Sequence, residues 1–327
     1  MRARPAGGAM SPSTDRCEAT ATAPAGVGNI GVGFDLLGHT IFGLQDRATV
    51  RRVDAPGVRI LAVRGDGDAV ARIPLDPARN TAGLAVRALV TGLGLGNGFE
   101  IELDKGIPIG AGLGGSAASC VAALVAANAL LDAPLAREAL YPYAIEGEFA
   151  SSQSRQGDNV GPMLLGGITL ATLTRLLPLP VPDWLHCVVV HPDQVLETQR
   201  SREVLKDPYP LSTVVRHGAH LALFVTGLER GDVELIREGL QDVLAEPRRA
   251  ALVPGFDVVK HAAMAHGAIG ASLSGAGPSV FAWFASRDAA EAAAPAMQQA
   301  FREAGFESRA WVSPVAGPRA ELVSAAG

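Results

Sequence analysis

Three segments dense in glycine carry the residues of this chain whose types and spacing could do chemistry. They occupy residues 23–35, 108–118 and 272–279, and we call them glycine loops 1, 2 and 3. Glycine has no Cβ, so it lets the backbone turn sharply and lie close to a ligand. Loop 2 leads directly into a run of Ala, Val and Leu that is typical of a buried helix. A glycine loop that enters a helix N-terminus favours binding of an anion, phosphate above all.

Glycine loop 2 is the strongest candidate for such an anion site. It reads Pro-Ile-Gly-Ala-Gly-Leu-Gly-Gly-Ser-Ala-Ala. We expect free N–H groups at Ser116, Ala117 and Ala118, and these act together with the helix dipole to favour phosphate. Two alternatives stay open on the residues alone. The glycines could serve only close helix packing, and Ser116 is either a helix N-cap or a hydroxyl ligand of Mg²⁺.

Two of the loops also contain the spacing Gly-x-Gly-x-x-Gly, beginning at Gly26 and at Gly110. A dinucleotide site requires a strand that runs directly into the glycines and a second strand that ends in an acidic residue about 20 residues further on. Pro108 separates strand from glycines in loop 2, and the helix after it leads into more helix. A Walker A loop is excluded because no Gly-Lys-Ser/Thr follows. The sequence therefore predicts a phosphate site of another kind.

Composition narrows the remaining classes of protein. At about 150 residues per domain, 327 residues predict two domains. The net charge of −5 gives nucleic acid no general electrostatic attraction. Three widely separated cysteines argue against a disulfide framework or a zinc site, and they fit a reducing compartment. The apolar stretch at 117–131 is shorter than the roughly 18–20 residues of a membrane span. We expect a cytoplasmic protein with no signal peptide that binds neither nucleic acid nor membrane.

The elements that must position these loops follow from residue periodicity. Strands are predicted at 18–22, 47–53, 58–63, 99–103, 168–173, 185–190, 268–273, 280–285 and 307–312, and helices at 80–93, 116–131, 142–151, 232–243, 257–266 and 288–304. Strands and helices without strict alternation indicate the α+β class. Three alternating prolines predict an extended connector over 177–183. We therefore expect a flexible tail (1–17), an N-terminal domain (18–176) and a C-terminal domain (177–327).

In this order and at these distances, the three loops resemble those of the GHMP small-molecule kinases over about residues 20–315. Loop 2 is similar to that family's Pro-x-x-x-Gly-Leu-Gly-Ser-Ser-Ala-Ala, and loop 3 to its Ser-Gly-Ala-Gly-Pro-Thr. The segments at 158–162, 198–202 and 246–249 are similar to motifs of the branch that acts on homoserine. The resemblance implies a two-domain α+β GHMP kinase fold, with an N-terminal nucleotide-binding domain and a ferredoxin-like C-terminal domain.

The resemblance also implies an activity. It implies ATP-dependent phosphorylation of the L-homoserine hydroxyl, with Mg²⁺, to give O-phospho-L-homoserine on the route to threonine. One alternative is a GHMP kinase for another small alcohol, such as threonine or a mevalonate-type compound. A second is a non-catalytic sensor that binds nucleotide or amino acid on the same fold. L-Homoserine and ATP are the implied partners, and a homodimer is plausible by resemblance.

Matching motifs imply the site residues. Catalytic roles fall to Ser116 and Glu148, which would ligate Mg²⁺, and to Asp158, whose role as a base stays open. Nucleotide-binding positions are Asn80, Pro108, Ile109, Gly110, Ala111, Gly112, Leu113, Gly114, Gly115, Ser116, Ala117, Ala118, Ser274, Gly275 and Gly277. Substrate-binding positions are Asn29, Asp35, Gln156, Asn159, Thr198, Arg202 and Arg249.

Residue chemistry agrees with these roles without establishing them. Guanidinium groups bind carboxylates bidentately, so Arg202 and Arg249 suit the homoserine carboxylate. Asp35 suits the ammonium group. On the residues alone, the arginines are solvated surface charges and Asn80 is an N-cap.

Three positions depart from the family pattern. Gln156 stands in place of a histidine, Gly115 in place of the first serine of Ser-Ser, and residues 26–28 read Gly-Val-Gly in place of Ser-Ser-Ala. Gln156 can form hydrogen bonds but carries no charge. Gly115 keeps the chain of backbone amides and leaves Ser116 available. The departures therefore bear on the choice of substrate more than on the kinase chemistry.

Overall fold

A computed structural model describes residues 17–152 and 154–326 of the chain. The expected flexible tail lies outside the described residues, apart from Cys17. The strands are β1 (Glu18–Gly28), β2 (Leu37–Val53), β3 (Gly57–Gly65), β4 (Gly98–Lys105), β5 (Ile168–Ala171), β6 (Leu176–Leu179), β7 (His186–Pro192), β8 (Gly270–Leu273), β9 (Val280–Phe284), β10 (Ser308–Pro314) and β11 (Glu321–Ala326). The α-helices are α1 (Thr81–Leu93), α2 (Gly115–Ala129), α3 (Tyr141–Ser152), α4 (Val160–Leu165), α5 (Thr198–Glu203), α6 (Leu211–Arg230), α7 (Val233–Gly239), α8 (Glu246–Arg249), α9 (Phe256–Ala265) and α10 (Arg287–Glu303).

Within the described residues, seven strands form the first sheet. Five of them follow the order β11-β1-β2-β4-β3, while β5 pairs with β2 and β6 pairs with β5. All pairs are antiparallel except β3 with β4. Helix α2 packs on β1 and β2, and α1 and α3 pack on α2. Because α2 is apolar on every side, it is buried on every side from Ala117 to Asn128, as a central helix must be.

The second sheet, again among the residues described, has the order β10-β7-β9-β8 and is antiparallel throughout. Helices α9 and α10 pack against it and against each other. The α+β class and the two-part fold are confirmed. No helix in the described part of the chain is long and apolar enough to cross a membrane.

The first sheet contains strands from both sides of the expected domain boundary at residue 177. Strand β6 includes Pro178, the first of the connector's three prolines, and pairs with β5. Strand β11 returns from the end of the chain to pair with β1. The connector is extended as predicted, but its first residues are part of a sheet, and β11 lies in that sheet rather than in the second one.

Three other element predictions need correction. Strand β1 continues to Gly28 instead of ending at residue 22, and β2 begins at Leu37, ten residues before the predicted start. Glycines and Pro24 hid both extensions, and a break in register near Pro24 accommodates the proline. Helix α7 is capped by Asp232 as predicted but ends at Gly239 instead of residue 243. There the chain leaves the helix so that Leu240 can pack against Gly270.

Candidate active site

The three glycine loops meet and are joined by hydrogen bonds. Between loops 1 and 3, the Gly275 N–H donates to the Gly28 carbonyl at 3.0 Å. Asn29 Nδ2 donates to the Gly275 carbonyl at 2.9 Å, while Asn29 Oδ1 accepts the Asp35 N–H at 3.0 Å. The buried Asn29 side chain therefore sets the path of loop 1 and fastens it to loop 3.

Loop 2 is fastened to both of the others. Ser274 Oγ donates to the Gly112 carbonyl at 2.8 Å, and the Gly26 N–H donates to the Leu113 carbonyl at 3.0 Å. Gly112 has φ +72°, and a Cβ there would lie 2.5 Å from the carbonyl oxygens of Ser274 and Gly277. Only glycine fits at position 112, because the backbone there is left-handed and lies against the backbone of loop 3.

Loop 2 presents the start of α2 as an anion site. Gly114, with φ +68°, is the N-cap, and the helix begins at Gly115. Ser116 is therefore the second helical residue with an exposed side chain, so its reading as an N-cap is wrong. The first bond of the helix runs from the Ala118 N–H to the Gly114 carbonyl at 2.9 Å. Ala118 is thus already paired, and the N–H groups that the helix leaves free are those of residues 115–117.

Asp158 lies buried against two glycine backbones. A Cβ on Gly28 would overlap its carboxylate, and a Cβ on Gly38 would overlap its carbonyl oxygen. Its Oδ2 accepts a hydrogen bond from Asn159 Nδ2 at 3.1 Å. The glycine at position 28, one of the departures from the family pattern, is what makes room for this carboxylate.

The surroundings of Asp158 raise its pKa, so its carboxyl group is only partly ionised near neutral pH. Burial is the largest influence, and the nearby Asp35 carboxylate adds to it, so the pKa of Asp158 rises to about 7. The Arg202 guanidinium and the Asn29 N–H act in the opposite direction. A carboxyl group with a pKa near neutrality is suited to proton transfer.

Glu148 reaches the interior from α3. Residue 147 is a glycine, and a Cβ there would press on Cys120 of α2 and on the Thr81 carbonyl of α1, so α3 packs unusually close. Burial, and after it the charge of Asp158, raises the pKa of Glu148 to about 8, while the Lys105 ammonium opposes the rise. A carboxyl group with a raised pKa loses its proton most readily when a cation lies beside it. Among the described residues, no group of three or more His, Cys, Asp and Glu forms a metal-binding cluster.

Arg202 and Asp35 form an ion pair close to Asp158. Arg202 Nη2 lies 2.9 Å from Asp35 Oδ1, and both side chains are about a quarter exposed. The Arg202 guanidinium carbon lies 5.8 Å from the centre of the Phe34 ring. Its Nε is buried and forms no hydrogen bond in the structure. The pair is therefore held in place yet keeps a donor for another partner.

Arg249 is not the surface charge that its residue type alone suggests. It is 2% exposed, and its Nε and Nη1 donate to the carbonyls of Ser201 and Gly275, each at 3.0 Å. Its guanidinium carbon lies 5.3 Å from the centre of the Phe34 ring. Burial, with the neighbouring Arg202 charge, lowers its pKa. Two cations thus lie against one aromatic ring.

The remaining candidates differ in how far the structure engages them. Asn159 Oδ1 and Gln156 Nε2 are buried without a hydrogen-bond partner, as expected of atoms that await a ligand or water. Thr198 is the exposed first residue of α5, the helix that also carries Arg202. Asn80 is the N-cap of α1, accepting from the N–H groups of Ala82 and Gly83. Its role in nucleotide binding stays a prediction.

Comparison with known proteins decides the family. The GHMP kinases N terminal domain matches residues 80–167, and GHMP kinases C terminal matches residues 224–303. The chain is 57% identical over 306 residues to a homoserine kinase of Xylella fastidiosa (strain 9a5c), with 94% of each chain covered. This chain belongs to the GHMP kinase family.

Solved structures agree with that assignment. This GHMP kinase matches the crystal structure of homoserine kinase from Cytophaga hutchinsonii ATCC 33406 with a TM-score of 0.89 and 37% identity, covering 96% of this chain and 100% of the other. L. major mevalonate kinase in complex with R-mevalonate matches with a TM-score of 0.67 and 17% identity, covering 94% of this chain and 100% of that one. The second likeness shows the shared fold alone.

Sequence reasoning missed some of the residues that build the site of this GHMP kinase. Phe34 lies within loop 1 but received no predicted role, although both arginines lie against its ring. Ser201 was not singled out, yet its hydroxyl donates to the Ala276 carbonyl at 2.9 Å, so α5 is joined to loop 3. A cation–π contact leaves no local sequence signal, because its partners come from distant segments.

Proposed function

We propose that this protein is a homoserine kinase that transfers the γ-phosphoryl group of ATP to the hydroxyl of L-homoserine. The observation that carries the proposal is the hydrogen-bonded junction of the three loops. It joins a helix start suited to phosphate with a pair of arginines suited to a carboxylate. The names of the full-length relatives support the same substrate.

The nucleotide would bind along loop 2. N–H groups at residues 115–117 point out of the start of α2, and the helix dipole favours negative charge there. Gly112 and Gly114 keep side chains away from this path. In phosphoryl transfer the transition state is loose, so positioning and neutralisation of charge supply most of the catalysis. Backbone amides held in place by two other loops are suited to that task.

The residues present fit Mg²⁺. Ser116 presents an exposed hydroxyl and Glu148 a buried carboxyl, and Mg²⁺ prefers such oxygen ligands. Two protein ligands without a closed cluster suit an ion that also takes phosphate and water oxygens. When bound, Mg²⁺ would neutralise charge on the transferring phosphate. Glu148 must lose its proton to serve, and its raised pKa supports coupling between metal binding and ionisation.

L-Homoserine would bind on the other side of the junction. Its carboxylate fits Arg202 and Arg249, whose guanidinium groups share one aromatic ring. Asp35 fits its ammonium group, and the buried amides of Gln156 and Asn159 offer unused hydrogen-bonding atoms. Thr198 would add a hydroxyl from the first turn of α5. Gln156, in place of the family's histidine, keeps a donor here and removes a charge.

Asp158 would accept the proton of the homoserine hydroxyl. Its carboxylate is buried at the junction, and its pKa near 7 leaves much of it ionised at neutral pH. When the attacking bond forms late, the proton also leaves late and no strong base is required. Asp158 therefore serves as a modest base, and its charge also balances the arginines nearby.

The test is phosphoryl transfer to a panel of alcohols. Purified protein with Mg-ATP is given L-homoserine, L-threonine, L-serine or mevalonate, ADP release is followed, and the product is identified by ³¹P NMR. We expect selective turnover of L-homoserine. Turnover of another alcohol would discard the substrate and keep the kinase, whereas nucleotide binding without turnover of any would support the sensor alternative.

A matched pair of variants separates a kinase from a sensor. Glu148→Gln should abolish turnover with Mg-ATP, because it removes a ligand charge from the metal. Glu146→Gln, on the same helix, changes an exposed carboxylate that pairs with Arg155 at 2.7 Å and should leave activity intact. Equal activity of the two variants would contradict the metal role of Glu148.

The proposal also covers the location of the enzyme in the cell and its oligomeric state. We place the enzyme in the cytoplasm, which supplies Mg-ATP, and its cysteines are unpaired in the part of the chain described. A homodimer that binds no nucleic acid is the proposed assembly. Light scattering during gel filtration measures its mass, and a monomer at micromolar concentration would contradict the dimer.

A further inference from the structure

A buried ion pair lies next to loop 2 and belongs to none of the proposed ligand contacts. The Asp46 side chain is fully buried and that of Lys105 is 6% exposed, and the Lys105 ammonium is in direct contact with Asp46 Oδ2. Asp46 lies on β2, and Lys105 is the last residue of β4. Burying two charges is costly even when they pair, so such a pair is weak support for stability alone.

The ammonium group of Lys105 binds the first turn of α2. Its Nζ donates to the Gly115 carbonyl at 2.7 Å and to Ser119 Oγ at 2.7 Å. With the contact to Asp46, these account for the three donors of an ammonium group. The Ser119 hydroxyl in turn donates to Asp46 Oδ2 at 2.8 Å. Lys105 therefore holds the end of loop 2 where the helix begins.

The carboxylate of Asp46 binds the other end of the same loop. Its Oδ1 accepts the Gly106 N–H at 3.0 Å and the Ile107 N–H at 3.1 Å. These two residues lead from β4 into loop 2. One ion pair thus fixes both the entry of the loop, at 106–107, and its exit, at 115–119.

We infer that the Asp46–Lys105 pair is a positioning device for nucleotide binding, which holds both ends of loop 2 so that its amides face the phosphates in one fixed arrangement. The inference rests on the proposed binding of ATP by this loop, and not on the choice of alcohol. A loop of glycines has many accessible conformations, so holding its ends removes freedom that would otherwise be lost when nucleotide binds. An apolar pair could fill the same volume but could not bind the backbone groups at both ends.

The test compares three variants of the full chain. Lys105→Met removes the ammonium and keeps much of its length, and Ser119→Ala removes only the bridging hydroxyl. Asn128→Ala is the control, because Asn128 fastens the far end of α2 through Leu135, accepting at 2.8 Å and donating at 3.0 Å. All three remove buried polar contacts from one helix, and only the first two are next to loop 2. The measurements are the Kd of Mg-ADP by calorimetry, the KM of each substrate and the Tm.

We expect a Kd of Mg-ADP about tenfold weaker in Lys105→Met and about threefold weaker in Ser119→Ala, since small displacements of positioning groups are costly. The KM of homoserine should stay within about twofold, as its contacts lie elsewhere. Asn128→Ala should lower the Tm without changing the Kd. If Lys105→Met fails to fold, Ser119→Ala decides alone.

The inference is overturned if Ser119→Ala lowers the Tm as Asn128→Ala does while Mg-ADP binds as in the wild type. Failure of the proposed function gives a different result. A wild-type protein that binds Mg-ADP but does not phosphorylate homoserine loses the substrate assignment only, and the nucleotide comparison among the variants stands.

Discussion

Phe34 is a residue whose importance comes from its neighbours. Its ring lies against the guanidinium groups of both Arg202 and Arg249, whose positive charges repel each other. Cation–π contacts of this kind contribute about 0.5–2 kcal/mol, depending on burial. The ring thus orients the groups proposed to bind the homoserine carboxylate.

Phe34→Leu should therefore raise the KM of L-homoserine about fivefold, because about 1 kcal/mol of positioning is lost. The KM of ATP should stay the same. Phe34→Tyr keeps the aromatic face and should restore the KM. Phe42→Leu is the control, since Phe42 is half exposed on β2. Steady-state kinetics for both substrates measure these values, and an equal rise in both KM values for Phe34→Leu would contradict the role.

Asp158 allows a prediction on pH dependence. A base must be ionised, and burial together with Asp35 raises its pKa to about 7. The kcat/KM for homoserine should thus rise with pH through about 7 and then level off. Asp158→Asn should have low activity and lack this limb of the profile. Rates over pH 5.5–9, at saturating Mg-ATP, test it, and an unchanged limb in the variant would show that another group titrates.

At the scale of elements, contact between loops 2 and 3 depends on Gly112. Its φ of +72° disfavours any side chain, and the carbonyls of Ser274 and Gly277 fill the space where a Cβ would be. Gly94, which ends α1 with φ +62°, has the same backbone requirement but open space around it. Comparing the two glycines therefore separates the effect of backbone strain from the effect of steric overlap with loop 3.

Gly112→Ala should raise the KM of ATP at least tenfold and lower the Tm, because loop 2 must move away from loop 3. Gly94→Ala should lower the Tm by a smaller amount, corresponding to about 1 kcal/mol of left-handed strain, with both KM values unchanged. Kinetics and thermal unfolding of the two variants provide the comparison. Similar KM values for ATP in both variants would contradict the proposed contact.

At the scale of the whole molecule, the two sheets are joined by a buried histidine. His39 of β2 accepts a hydrogen bond from Trp283 Nε1 of β9 at 3.2 Å through Nε2, and its Nδ1 donates to the Thr40 carbonyl at 3.0 Å. This pattern requires the neutral ring. Burial lowers the pKa of His39 to about 4, although the Thr40 carbonyl opposes the shift.

Protonation of His39 should therefore destabilise the fold. Because the folded state has the lower pKa, the contribution of His39 is complete above about pH 6.5 and is lost as the pH falls to about 4, a loss of about 3 kcal/mol. Urea unfolding at several pH values measures this. His39→Gln should remove the part of the pH dependence that His39 contributes over this range, whereas His261→Gln, at an exposed position, should leave the dependence unchanged. Parallel curves for wild type and His39→Gln would assign the acid sensitivity elsewhere.

Much of the fold was accessible from the sequence because its signals are local. Alternation of residues predicted most strands, and Asn80 and Asp232 marked helix starts that the structure confirms. Where glycine and proline interrupted a strand, as in β1 and β2, the local signal was lost. There, pairing with a neighbouring strand outweighs the low propensity of these residues.

The sequence by itself determined the family, the α+β class and the glycine loops, because close backbone approach and helix starts depend on residue types within a few positions. Only the tertiary structure decided which side chains act together. Asp35 pairs with Arg202 across 167 residues and Asp46 with Lys105 across 59. Such partners are selected by the packing of distant elements, which brings groups together and removes water from them, and no local spacing records that choice.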